Sequence, residues 1–171
     1  MPVSMYSVSV PIFIQHLLAL SGVLDKAAAF AEAKKVDPAV LLNMRLYPDM
    51  YPMARQVQEA SKHAARVSGY LAGVETPTLP SAAATIPELK LLISTVVDFL
   101  KSLNPSQIDG SENKEIKIKG SSGERVYVGQ SLLLNHSLPN FYFHCTTAYD
   151  LLRHAGVDLV KRDFMGTPVK S

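Results

Sequence analysis

Residues 50–71 read MYPMARQVQEASKHAARVSGYL, and their apolar positions decide the fold. Met50, Met53, Val57, Ala60, Ala64, Val67 and Leu71 follow one another at alternating spacings of three and four without a miss. Side chains so spaced stack on one side of a helix with about 3.6 residues per turn, so the stretch predicts an amphipathic α-helix with a core-facing seam. Proline is tolerated in a first helical turn, so with Pro52 the helix is expected to begin near Asp49 and to end near Gly73.

Working outward, the same period recurs on both sides. From about Ser7 to Lys35, the residues Phe13, Leu17, Leu20, Leu24, Ala27 and Ala31 form a second stripe. Asp37-Pro38 closes it and suits the N-cap and first position of a short following turn. Asn43 to Met53 holds Pro48 and Pro52 and predicts irregular backbone. Gly73 to Pro87 reads as a crossing loop with a small-residue patch from Ser81 to Ala84, and Thr85 and Glu88 have the spacing of a capping box. Leu89, Leu92, Ile93, Val96, Phe99, Leu100 and Leu103 then mark a third long helix, stopped by Asn104-Pro105. A fourth, from about Gln130 to Ala155, carries Leu134, Leu138, Phe141, Cys145, Ala148, Leu152 and Ala155. Pro139 frees the carbonyl of Asn135 and predicts a kink or a restart there. Gly156 suits the position after the last helix, and the chain beyond Phe164 is expected to be mobile.

Between the third and fourth helices the period changes from helical to alternating. Glu115 to Lys119 and Arg125 to Val128 alternate strictly around turn residues Gly120 to Gly123, which predicts a two-stranded hairpin. Ile116, Ile118, Val126 and Val128 are expected on its apolar face, resting on the helices because an isolated hairpin is marginal. The fold class is therefore mainly all-α, a four-helix bundle with a small β-hairpin before the last helix. One domain spans residues 1–166, and residues 167–171 form a mobile C-terminal tail.

Composition narrows the partners. Of 171 residues, 47% are apolar and 19% charged, with a net charge of +2, which excludes disorder and gives no basic footprint for nucleic acid. The amino terminus lacks the basic start of a secretory signal, and no run approaches the roughly 18–20 apolar residues that span a bilayer. Cys145 is the only cysteine, so no intrachain disulfide forms. A soluble, cytoplasmic protein without nucleic-acid or membrane partners is expected.

The richest polar constellation lies on the last helix, where His136, Asn140 and His144 are spaced by four. Such residues share a helix face, and bundles build ligand and metal sites from inward-facing side chains. Two imidazoles fall short of the three protein ligands usual for catalytic zinc, so pocket lining or packing is the preferred role. His63 shares its face with Gln56, Glu59, Arg66 and Tyr70; a solvated face with a Glu59–His63 contact is expected, a third ligand being the alternative. His16 flanks its stripe and can face inward, whereas His154 suits the last turn of a helix. Cys145 follows His144 directly, and such neighbours diverge by about 100° on a helix, so it reads as a buried hydrophobe rather than a nucleophile. No phosphate loop, nucleophile elbow or His-Glu-x-x-His motif occurs. Arg45 and Asp49 flank the Leu46-Tyr47-Pro48 turn; they either lock that turn or edge a cleft walled by Tyr47, Tyr51, Tyr142 and Tyr149.

Two longer motifs carry a resemblance. Arg45-Leu46-Tyr47-Pro48-Asp49-Met50-Tyr51-Pro52 with Arg55 to Gln58, and Leu138-Pro139-Asn140-Phe141-Tyr142-Phe143-His144 with Thr146 to Tyr149 and Leu152-Arg153, resemble the family called domain of unknown function nineteen-ninety-three. That family is a branch of the DinB/YfiT-like superfamily, and the resemblance runs from Met5 through Gly166. It implies a DinB-like four-helix bundle, often dimeric. Many superfamily members hold a metal on three histidines, one on the second helix and two, four apart, on the fourth. His144 matches the second of that pair, Asn140 stands where its partner would be, and His63 is the candidate match on helix two.

These readings converge on a small-molecule-binding or structural homodimer without a bound metal. Arg45, Tyr47, Asp49, Tyr51, Asn140 and His144 are the candidate ligand-binding residues. The alternative is an enzyme with His144 as ligand or general acid/base. It would be a metal-assisted transferase or hydrolase on His63, His136 and His144 with a divalent ion such as zinc or nickel, or a metal-free isomerase.

Overall fold

In the computed structural model, which describes residues 3–80, 82–120 and 123–169, most of the chain is helical. The order is α1 (Val10–Lys34), α2 (Pro38–Leu42), α3 (Met53–Ala72), α4 (Ile86–Lys101), α5 (Pro105–Ile108), β1 (Glu115–Gly120), β2 (Gly123–Val128) and α6 (Gly129–Ser131). A π-helical stretch, Leu132–Ser137, leads into α7 (Leu138–His154), and α8 (Lys161–Met165) follows. Of the expected crossing-loop patch, Ser81 lies outside the described residues, as do Ser121 and Ser122 of the hairpin turn and residues 170–171 of the tail.

Local chemistry sets the helix ends. Asp37 caps α2 by accepting from the Ala39 amide at 2.8 Å. At the start of α4 the Thr85 hydroxyl accepts from the Glu88 amide, while the Glu88 carboxylate accepts from the Thr85 and Ala84 amides. Gly73 ends α3 with φ +71°, a conformation open to glycine at little cost. The amine of Lys114 then donates to the carbonyls of Tyr70 and Leu71. α3 begins at Met53, later than the stripe predicts, with Pro52 as N-cap; a proline disfavours helical geometry in the residue before it, so Tyr51 stays outside.

The long helices close a ring: α3 packs against α4 and α7, and α1 packs against α4 and meets α7. Phe13, Leu17, Leu24, Met53, Leu89, Leu92 and Phe141 fill the centre, fully buried. α1 is long and apolar enough, by length and composition, to cross a membrane, so the expectation that no segment approaches this does not hold. Its apolar stripe is spent on the core, where Phe13, Leu17, Leu20, Leu24, Ala27 and Ala31 are all buried.

Two further expectations need correction. The hairpin pairs Ile116 with Tyr127 and Ile118 with Arg125, while Val126 faces Lys117 and Val128 faces Glu115. Directly paired residues share a face, so Val126 and Val128 lie on the outer one, about half exposed, and Tyr127 accompanies Ile116. In the last helix the expected kink or restart takes the form of a π-helical turn followed by a new α-helix from Leu138, with the Leu138 amide reaching back to the Leu133 carbonyl just before Pro139; the expected stripe does not hold at Leu134. The wider turn rotates the upstream residues, burying Leu132 and Leu133 and leaving Leu134 exposed. Beyond Phe164 the chain is held at first, since α8 packs on α1 and Gln15 donates to the Met165 carbonyl at 2.7 Å.

Candidate functional site

The seam between α3 and α7 carries a ladder of rings. Gln56 and His63 lie seven residues apart on α3 and share a face; His136 and His144 lie eight apart across the π-helical turn and α7. Where the helices meet, His63 sits between the other two, 5.7 Å from His144 and 5.8 Å from His136 by ring centroids. Tyr51 extends the ladder at one end, nearly parallel to His144 at 6.5 Å, and Tyr127 of the hairpin extends it at the other, 5.5 Å from His136.

Hydrogen bonds fix the tautomer of His144. The Gln56 amide nitrogen donates to the Tyr51 carbonyl at 3.0 Å, which turns its oxygen toward His144 Nδ1 at 2.7 Å. A carbonyl only accepts, so Nδ1 carries the proton and Nε2 keeps its lone pair. Nε2 makes no hydrogen bond among the described residues. Burial holds His144 below the ordinary histidine range; the Glu59 charge opposes that shift and Arg55 adds to it. His63 is lowered to about 4, first by burial and then by the fields of His144 and His136, with Glu59 opposing and Arg66 adding. Both rings are neutral at neutral pH.

Two concavities flank the ladder. One, of about 210 Å³, is lined by Asp49, Met50, Tyr51, Gln56, Phe143 and His144. The other, of about 80 Å³, has His63, Arg66, Tyr70 and His136 among its walls and takes Ile118 from the hairpin.

Of the sequence-derived candidates, His144, Tyr51 and Asp49 come together at the first concavity. Tyr47 is 65% exposed and lines neither, and Arg45 donates to the Met50 carbonyl, locking the proline turn. The Asn140 amide donates back to the His136 carbonyl at 2.7 Å, bracing the turn before it. Tyr142 and Tyr149 wall no cleft with Tyr51: they pack on another side of α7, beside His16 and Phe164 respectively. His16 is buried, its Nδ1 on the Ile12 carbonyl, and Cys145 is buried with its thiol pushed up by desolvation. The expected Glu59–His63 contact on a solvated face is replaced by ring packing, because Glu59 pairs with Arg55 at 2.7 Å and Lys62 at 3.2 Å. Sequence reasoning missed Gln56 as the group orienting His144; its seven-residue separation from His63 was the available signal. Tyr127 was missed because a register error of one residue turned it outward.

The superfamily's metal chemistry requires donors converging on one point. Among the described residues no group of three His, Cys, Asp or Glu side chains is placed to hold a metal ion. Asn140, standing where a partner histidine would be, turns back on its own helix to the His136 carbonyl. As arranged, these residues do not fit a metal.

Comparisons with known proteins support the family resemblance. The family described as Domain of unknown function (DUF1993) matches residues 5–165. A crystallised DinB family member protein from Shewanella denitrificans is 36% identical, over 97% of this chain and 94% of that one, with a TM-score of 0.87. A search of curated proteins finds no match.

Proposed function

The chain belongs to the DUF1993 family, with a DinB-like fold, and on that premise we propose that it binds a small molecule in the α3–α7 cleft without a bound metal. The observation that carries this reading is the relay from the Tyr51 carbonyl through Gln56 to His144. One buried and one part-buried side-chain hydrogen bond hold in a single tautomer an imidazole that lines a concavity with Tyr51, Met50 and Phe143. Concave apolar walls with a few fixed polar groups are the usual form of a small-molecule site.

The same relay favours a second reading, a metal-free isomerase. A neutral histidine with a fixed tautomer is a general base at Nε2 and, once protonated, a general acid, with Gln56 holding the ring in either state. Val126 and Val128, side by side on the exposed face of the hairpin, support a homodimer. The single cysteine supports a cytoplasmic setting.

Elemental analysis of the purified chain, paired with His144→Ala, tests the proposal. Less than about a tenth of an equivalent of metal is expected, and a library of small aromatic and aliphatic compounds should shift His144 and Phe143 NMR signals saturably in wild type only. Zinc or nickel near one equivalent that disappears in the variant would overturn the metal-free reading. Absence of any saturable binder would overturn the ligand-binding one.

A further inference from the structure

Among the described residues, Arg66 is a cation without a carboxylate partner. Two turns earlier on α3, Glu59 pairs with both Arg55 and Lys62. At three and four residues either side of Arg66 stand Lys62, His63, Gly69 and Tyr70, none of them acidic. Its guanidinium makes no ion pair or hydrogen bond among the described residues, and it lines the smaller of the two cleft concavities.

The other polar walls of that concavity are His63, Tyr70, His136 and Ser137, with no Asp or Glu among its lining residues. Every polar side chain there can donate a hydrogen bond, and one carries a fixed positive charge. Its volume of about 80 Å³ holds two or three water molecules at roughly 30 Å³ each, the scale of a carboxylate or phosphate group. Glu75 lines an adjoining surface concavity with Arg66 and Tyr70 but does not pair with Arg66.

We infer that this concavity is an oxoanion-binding subsite, in which Arg66 anchors the anionic head of the cleft's ligand and His63, His136 and Tyr70 donate to it. Guanidinium presents paired N–H groups in the geometry of a carboxylate or phosphate edge. Arg66 and His63 line the same concavity, which sets a fixed positive charge beside a ring N–H donor. The apolar remainder of such a ligand suits the Tyr51–Phe143 concavity beyond the His63–His144 stack, so the inference rests on the binding reading above.

The test is an NMR titration of the full chain, following His63, His136 and His144 ring signals, with inorganic phosphate and with acetate at constant ionic strength and chloride as control. Saturable shifts at His63 and His136 are expected with one of the two, identifying phosphate or carboxylate as the head group. Arg66→Gln should weaken that binding about tenfold, and Arg66→Lys should recover part of it. Shifts that match chloride, or that persist unchanged in Arg66→Gln, would overturn the inference. If neutral apolar compounds still bind beside His144 in that case, only the anion subsite fails; if they do not, the binding reading fails with it.

Discussion

Gln56 does for His144 what no neighbour on α7 can, because it reaches across the seam from α3 with its amide orientation already set by the Tyr51 carbonyl. Replacing it by leucine leaves the buried Nδ1–H without an acceptor, at a cost of about 1–3 kcal/mol. Gln56→Leu should therefore lower the urea midpoint and, in ¹⁵N spectra, replace the single His144 tautomer by a mixture; an unchanged tautomer would refute the relay. His63 gives the protein an acid sensitivity. In the unfolded chain its imidazole takes a proton near 6.5, in the fold only near 4, so between those values the unfolded state binds more protons. Stability is full above about pH 6.5 and falls as pH drops toward 4, with His144 adding in the same direction. With solvent screening of the partly open ring, His63 contributes about 2 kcal/mol to that loss. Urea unfolding at about pH 7.5 and 4.5 should show a larger loss in wild type than in His63→Gln, which keeps only the smaller part from the other buried histidines.

At the scale of elements, most helix ends were legible because short-range chemistry sets them. The Asp37 cap, the Thr85–Glu88 box and the Gly73 stop all involve residues within four positions of one another. Thr85→Ala should cost about 1 kcal/mol in chemical denaturation. The hairpin register and the π-helical turn were not legible, since each depends on packing against distant elements. A one-residue phase in β2 leaves the alternation intact, and only docking on the bundle chooses Tyr127 over Val126 as the inward residue. That docking is anchored at Gly129, whose amide donates to the Lys114 carbonyl and where an added Cβ would lie 2.1 Å from the Ser111 carbonyl oxygen. Gly129→Ala must push backbone apart and should cost about 1–3 kcal/mol, with faster amide exchange across β1 and β2. Stability unchanged in that variant would show that the hairpin is not seated there.

Across the whole molecule, Phe13 on α1 and Phe141 on α7 meet edge to face with centroids 4.9 Å apart, both fully buried, and close the ring of helices where α1 meets α7. Phe141→Ala should cost about 3–5 kcal/mol in calorimetry or denaturant unfolding, and a much smaller loss would mean that the bundle closes without this contact. Such stripes at three-and-four spacing determined the class of fold from sequence alone, because helical periodicity is a local property and burying the stripes leaves a bundle as the simple solution. The candidate site was legible only as residue types: His63, His136 and His144 stood out, while their relation did not. Tertiary structure alone decided that His63 stands between the other two, that Gln56 reaches His144, and that Arg66 shares a concavity with His63 and His136. The reason is physical: a helix fixes the face a side chain occupies, but which atoms meet across a seam depends on how two helices are rotated and offset. Here that offset is set by the π-helical turn and by packing throughout the core.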